Sequence, residues 1–247
     1  MTQPNFLLCI GCWQQLHLPV PLRGVLSWPF RVMGLKPSRM NPNTCTFCEL
    51  AFTTIMRKRN VDIDATVMFA DLRGYTSLTE TLPADAMPAL LDTFYDACGA
   101  AIWAEDGLLN KTIGDAVMAV FNFPVHHPDH AVRAVRAVRA ARALQQDCRV
   151  RFAAFARAHG VDAGLLGVGI GIDSGMMKFG EFGHSHRDLT AIGTVVNIAA
   201  RAQSAAPPGG ILVTGRVRER AGALAWTGEA REYPLKGLDK PVQLHTA

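Results

Sequence analysis

Two aspartates occupy matching settings. The stretch ATVMFADLRGYT, residues 65–76, is an apolar, β-prone run that ends in Asp71 and breaks at Gly74. The stretch LLNKTIGDAVMAVF, residues 108–121, sets Asp115 at a glycine turn between two β-like runs. Either residue alone reads as an ordinary turn aspartate or a helix cap. Together, at the tips of strands laid side by side, two carboxylates can hold a pair of Mg²⁺ or Mn²⁺ ions, hard cations that take oxygen ligands and share them with substrate phosphates. Two such ions clamp the attacking and leaving oxygens of an in-line phosphoryl displacement. Gly74 adds a second element, because it lets the chain bend so that backbone N–H groups from Leu72 through Thr76 point at phosphate oxygens. The chemistry this pattern suits is phosphoryl transfer.

The elements that must position these residues follow from periodicity. Val61 to Asp71 suits a strand, Ala84 to Ala104 a helix with a mostly apolar face, and residues 108–122 a hairpin turning at Gly114-Asp115. In DHAVRAVRAVRAARALQ, Val132, Val135 and Val138 recur every third position beside Arg133, Arg136 and Arg139. This predicts an amphipathic helix with the arginines on a solvated face rather than a nucleic-acid site. LLGVGIGIDSGMMKFGEFG reads as two strands with a glycine-rich turn, and Asp188 to Ile192 as a further strand. A helix over Thr194 to Ser204, the short strand ILVTG and a pair of short strands in REYPLKGLDKPVQLH complete the chain. The order predicts an α+β fold, a ferredoxin-like βαββαβ sheet covered by helices on one face.

A boundary is expected near residue 60, dividing an arm, residues 1–60, from a catalytic domain, residues 61–247. The arm holds seven Lys/Arg (Arg23, Arg31, Lys36, Arg39, Arg57, Lys58, Arg59) against one acid, Glu49, whereas the remainder holds 18 basic and 20 acidic residues. With Phe6, Trp13, Trp28 and Phe30, this segment suits either an anionic membrane surface or packing against the main domain. CTFCELAFTTIMRKRN, residues 45–60, reads as a helix capped by Asn43 or Thr44. Cys9-x-x-Cys12 and Cys45-x-x-Cys48 form two CxxC pairs. Four such thiolates can close a zinc or iron–sulfur site, with redox chemistry or simple burial as the alternatives. Cys98 and Cys148 fall singly in helical patterns and are expected to be buried. No run of about 20 apolar residues occurs, and the start lacks the basic n-region of a secretory signal. A cytoplasmic protein is expected, with peripheral attachment to the inner membrane surface as the arm's contribution.

Four blocks, FADLRGYTSLTE, KTIGDAVMAVF, DLTAIGTVVNIAAR and LKGLDKPVQL, in that order and spacing, resemble the catalytic domain of class III nucleotide cyclases over about Val61 to Leu244. The resemblance implies the reaction in which the ribose 3′-hydroxyl of a nucleoside triphosphate attacks its own α-phosphate and expels pyrophosphate. It implies Asp71 and Asp115, with Leu72 between strand and turn, as the metal site for two Mg²⁺ or Mn²⁺ ions, and Gly74, Tyr75 and Thr76 as phosphate contacts. Lys111 falls on the family's base-recognition lysine. Thr190 falls where many cyclases have a purine-recognising aspartate and one bacterial-type subclass has threonine. Asn197 and Arg201 match the residues that position the ribose and stabilise the pentavalent transition state. Arginine suits that task because its fork donates to two oxygens as charge builds. Lys236 aligns with the lysine that binds the terminal phosphates.

Lys111 can only donate, which suits N1 of adenine and opposes the N1–H of guanine, and Thr190 can accept from the 6-amino group. The substrate expected is ATP, although cytosine presents the same acceptor and donor. A cyclase for cytidylate, uridylate or guanylate, or a non-catalytic nucleotide-binding regulatory module, is the alternative. The family also implies a homodimer with each site built across the interface.

Overall fold

The computed structural model describes residues 7–247, apart from 80, 81, 84, 85, 123–128, 184, 186, 223, 225, 227, 238 and 239. Phe6, the first two positions of the helix expected from Ala84, and part of the LKGLDKP block therefore lie outside the described residues. The arm carries three helices, α1 (Ile10–Leu16), α2 (Trp28–Val32) and α3 (Thr46–Lys58). Next come β1 (Val61–Arg73), α4 (Tyr75–Thr79), α5 (Ala86–Ala104), β2 (Leu108–Ile113), β3 (Ala116–Phe121), α6 (His130–His159), β4 (Gly167–Phe182) and β5 (Asp188–Ile192). The chain closes with α7 (Thr194–Ala205), β6 (Ile211–Thr214), α8 (Gly215–Arg220), β7 (Arg231–Tyr233) and β8 (Val242–Thr246). Among the described residues no helix is long and apolar enough to cross a membrane.

The sheet order is β2-β3-β1-β4-β6-β8-β7, with β5 also paired to β4. Its first four strands, antiparallel throughout, with α5 and α6 as the connections, are the ferredoxin-like βαββαβ core. Helices cover both faces, not the one expected. Met68, Ala70 and Leu72 of β1 join a core with Leu90 and Phe94 of α5 and Ala137, Ala141 and Leu144 of α6. The alternate residues Ala65, Val67 and Phe69 join a second core with Val195, Val196 and Ala199 of α7 and Phe52 and Met56 of α3. Burial from both sides explains why β1 reads as a continuous apolar run rather than an alternating one.

The glycine-rich stretch before residue 182 is one sixteen-residue strand, not two strands and a turn. Its glycines make room for neighbouring chain segments, and Gly171 does so for a helix. A Cβ on Gly171 would lie 2.1 Å from the Gln203 nitrogen and 2.2 Å from the Ala199 carbonyl oxygen, so α7 can sit on β4 only where a side chain is missing.

Helix α6 departs from expectation in its faces. Asp129 caps it by accepting from the Ala131 N–H at 2.8 Å, and Gly160 ends it with φ +68°. Its buried stripe is made by Ala134, Ala137, Val138, Ala141 and Leu144, while Val132 and Val135 are only partly covered. The arginines are not a uniformly solvated face. Arg133 is 5% exposed and reaches the carbonyl and carboxylate of Asp64, Arg136 pairs with Asp106, and Arg139 pairs with Glu105. Three-residue spacing drifts around a helix of 3.6 residues per turn, so of the three valines only Val138 reaches the buried stripe, which is otherwise lined mainly by alanines.

The arm packs on the domain. Asn41 donates to the Gly107 carbonyl at 3.3 Å, Asn43 to Asp106 at 2.8 Å, and the Trp103 indole to the Met40 carbonyl at 2.9 Å. Cys45, not Asn43 or Thr44, caps α3 by accepting from the Cys48 N–H, because both alternatives are drawn into this docking loop. Cys98 and Cys148 are buried as expected.

Candidate active site

Residues 65, 67 and 69 of β1 face α7, and by the two-residue alternation of a strand Asp71 emerges on that same side. It lies opposite Ala116 of β3 and Gly169 of β4. Asp115 occupies the two-residue turn between β2 and β3, where Gly114 supplies φ +59°. The Leu72 N–H donates to the Asp115 carbonyl at 3.0 Å, which ties this turn to the end of β1 and brings the two aspartates together. Burial pushes the Asp71 carboxyl above the usual carboxylate range, the Arg73 guanidinium opposes this, and the Asp115 charge adds to it. Arg73 donates to Asp71 at 2.9 Å and also to the carbonyls of Gln203 and Ala206 (3.1 Å) at the end of α7. The strand then breaks at Gly74, whose φ is +83° and whose absent Cβ would stand 2.0 Å from the Leu165 carbonyl oxygen. No other residue fits there, and α4 begins at once with Tyr75 and Thr76.

Farther back along β2, Asn110 and Lys111 reach the strand that carries Thr190. A bulge between Leu109 and Lys111 resets the register of β2 on β3. Asn110 then donates to the Leu189 carbonyl at 2.8 Å, and the Lys111 ammonium pairs with the Asp188 carboxylate. Thr190 lies two residues along β5 from Asp188, with its hydroxyl 3.4 Å from the Ala191 carbonyl oxygen.

Asn197 and Arg201 lie one turn apart on the exposed face of α7, opposite the buried Val195, Val196, Ala199 and Ala202. Among the described residues neither side chain has a hydrogen-bonding or ionic partner. Lys236 is exposed in the turn after β7, beside the buried Leu235. The structure thus brings Asp71 to Asp115 and Lys111 to Asp188 of β5, the strand that carries Thr190. No hydrogen bond or ion pair among the described residues joins either pair to Asn197, Arg201 or Lys236.

Three participants escaped sequence reasoning. Arg73 is the resident countercharge of Asp71, Asp188 is the partner of Lys111, and the Tyr95 hydroxyl donates to the Gly114 carbonyl, bracing the turn that carries Asp115. Arg73 and Asp188 stood inside the blocks already singled out, and charge opposite charge was the available signal. Tyr95 offered none, because its contact spans nineteen residues and depends on how α5 lies over the hairpin.

The profile of the family described as "Adenylate and Guanylate cyclase catalytic domain" matches residues 57–245. The chain belongs to that family. A protein named "Adenylate cyclase" from Anabaena cylindrica is 33% identical to this cyclase domain over 184 residues, covering 72% of this chain and 34% of the relative. "Adenylate cyclase 1" from Rhizobium meliloti (strain 1021) is 30% identical over 143 residues, covering 56% and 20%. The chain thus spans about a third or less of the curated relatives it matches. Among solved structures, the adenylyl cyclase CyaB from P. aeruginosa aligns with TM-score 0.70 and 29% identity, covering 76% of this chain and 95% of that one. The guanylyl cyclase Cya2 aligns with TM-score 0.68 and 25% identity, covering 76% and 92%. The α+β cyclase fold agrees with these similarities.

Proposed function

We propose that this cyclase domain is an adenylate cyclase, which converts ATP to 3′,5′-cyclic AMP and pyrophosphate, and that residues 61–247 carry the activity while residues 1–60 form an accessory arm. The observation that favours ATP is the approach of β2, which carries the donor Lys111, to β5, which carries the acceptor Thr190, through the Asn110–Leu189 hydrogen bond and the Lys111–Asp188 ion pair. Such a donor and acceptor match N1 and the 6-amino group of adenine. The names of the Anabaena, Rhizobium and P. aeruginosa relatives point the same way.

The donor set at the other end fits hard divalent cations. Two aspartates and the Leu72 carbonyl offer only oxygen, and burial, with the Asp115 charge adding to it, raises the proton affinity of Asp71 against the opposing Arg73, so a nearby cation would be favoured. Asp71, Asp115 and Leu72 would hold two Mg²⁺ or Mn²⁺ ions, which supply charge neutralisation at the attacking and leaving oxygens. The protein's own groups do the rest. N–H groups at Gly74, Tyr75 and Thr76 receive the phosphates, and Lys236 neutralises the terminal ones. Asn197 fixes the ribose so that its 3′-oxygen faces the α-phosphorus in line with the departing pyrophosphate. Arg201 donates to the α-phosphate oxygens as negative charge accumulates on them. The new bond joins the 3′-oxygen to the α-phosphorus as its hydroxyl proton passes to solvent, the bond from the α-phosphorus to the α,β-bridging oxygen breaks, and pyrophosphate carries away the electron pair. Because Asn197 and Arg201 face outward with no partner among the described residues, the reading includes a homodimer in which the α7 face of one protomer completes the site on the other. Incubation with ATP and Mn²⁺ tests it, and cyclic AMP and pyrophosphate must appear in equal amounts.

The arm favours a second role, peripheral contact with an anionic membrane. Val25, Leu26, Trp28, Val32 and Met33 are between 70% and 91% exposed, and Arg23, Arg31, Lys36 and Arg39 lie in the same segment. Each basic residue near an anionic surface contributes about 1 kcal/mol. Co-sedimentation with phosphatidylserine vesicles should be strong at low salt, fall at high salt as charges are screened, and be lost in a Leu26→Glu, Trp28→Glu variant. A parent that stays in the supernatant at low salt would rule this role out.

A further inference from the structure

We infer that Cys9, Cys12, Cys45 and Cys48 bind one zinc ion, and that this ion fixes the arm to the edge of the sheet that presents Lys111. The four sulfurs lie within 4.8 Å of one another. Cys9 and Cys48 stand 3.6 Å apart, Cys12 and Cys45 3.6 Å, and Cys12 and Cys48 3.4 Å. A zinc–sulfur bond of about 2.3 Å gives a tetrahedron with edges of about 3.8 Å, so the thiols are already near the required shape. They are much too far apart for disulfides, whose bond is about 2.05 Å. A multi-iron cluster places its thiolates on different irons and spreads them beyond the edges of one tetrahedron.

The surroundings are built for a thiolate set. Each CxxC pair opens a helix, with Cys9 capping α1 and Cys45 capping α3. The N–H of Cys12 donates to the Cys9 sulfur at 3.4 Å, that of Cys45 to the same sulfur at 3.2 Å, and that of Cys48 to the Cys45 sulfur at 3.4 Å. Such donors favour the deprotonated form that a metal needs. Gly11 leaves the space, since a Cβ there would lie 2.9 Å from the Cys48 sulfur. The rest of the pocket is apolar, formed by Val20, Leu22, Phe30 and Leu35. Burial alone would not turn four sulfurs toward one point. Zinc is the ion chosen because a closed tetrahedral sulfur set selects it, and such sets prefer it to ferrous iron.

The site's position gives it a consequence. Cys45 follows at once the loop whose Met40, Asn41 and Asn43 grip Trp103, Asp106 and Gly107, and it starts the helix whose Phe52 stacks on Phe179. The Leu109 N–H donates to the Met40 carbonyl at 3.1 Å, two residues before Lys111.

Elemental analysis of the full chain, purified under reducing conditions after growth with added zinc, should give one zinc per chain. Titration of the folded protein with a mercurial should release that zinc as four thiols react, and the melting temperature should fall on zinc removal. Cys148→Ser and Asp71→Ala should retain the full zinc content, the latter showing the site to be independent of catalysis. Substoichiometric zinc, one equivalent of iron in its place, or zinc unchanged in a Cys45→Ser, Cys48→Ser variant would overturn the inference. Should that variant fail to fold, the mercurial release decides alone.

Discussion

Replacing Asp71 or Asp115 with alanine is expected to lower the rate of cyclisation at saturating Mn²⁺ to less than about one hundredth of the parent's, a loss of at least about 2.7 kcal/mol of transition-state stabilisation. Each substitution removes a carboxylate from a set in which both are required, and Mn²⁺ cannot compensate for a missing ligand. The fold should survive. Burial raises the pKa of the Asp71 carboxyl, so once the pH exceeds that raised value its charged form costs stability, a cost that disappears as the pH falls. Asp71→Ala should therefore melt no more than a few degrees from the parent in EDTA at neutral pH, with Arg73 still held by the Gln203 and Ala206 carbonyls. The same raised affinity for protons predicts that metal binding weakens as the pH falls toward the Asp71 pKa. Circular dichroism melts and a pyrophosphate-release assay measure both halves. A variant that keeps more than a few per cent of activity with Mn²⁺ would remove its aspartate from the metal site.

Mixing Asp71→Ala chains with Arg201→Ala chains should restore activity that neither possesses alone. If the exposed α7 face of one protomer serves the carboxylates of the other, a mixed dimer holds one site with both lesions and one with neither. Random pairing makes half the dimers mixed, so about a quarter of the parent's activity is expected. The control is Asp71→Ala mixed with Asp115→Ala. Those two residues are linked within one chain by the Leu72–Asp115 hydrogen bond, so every site in that mixture keeps a lesion and recovery should be absent. Failure of the first pair with mixed dimers present would place Arg201 outside the partner's site.

The sheet core was legible because its signals are local: β1 in an apolar run, the β2–β3 hairpin in Gly114-Asp115, and the first half of α6 in the periodic run over residues 129–145. What escaped was decided by tertiary contact. Whether one or two faces of the sheet are covered depends on where α3 and α7 lie. The glycines at 167, 169 and 171 look like turn formers until Pro208, the Arg73 side chain and α7 are seen to need the space. The arginines of α6 look solvated until Asp64, Asp106 and Glu105 arrive from other elements. The same division holds at the site, where the motif residues were readable and their partners, Arg73, Asp188 and Tyr95, were set by folding. The two CxxC pairs were visible, but only the fold brings sulfurs separated by more than thirty residues to one point.

The central claim is that this chain cyclises ATP, and base selectivity tests it most directly. Equal concentrations of ATP, GTP, CTP and UTP, incubated together with the purified chain and Mn²⁺, should yield 3′,5′-cyclic AMP as the dominant product by mass spectrometry, with pyrophosphate matching it mole for mole. Cyclic CMP in comparable amount would show that Lys111 and Thr190 read only the edge that adenine and cytosine share. No cyclic product from any of the four, with the chain folded and Mn²⁺ saturating, would contradict the account.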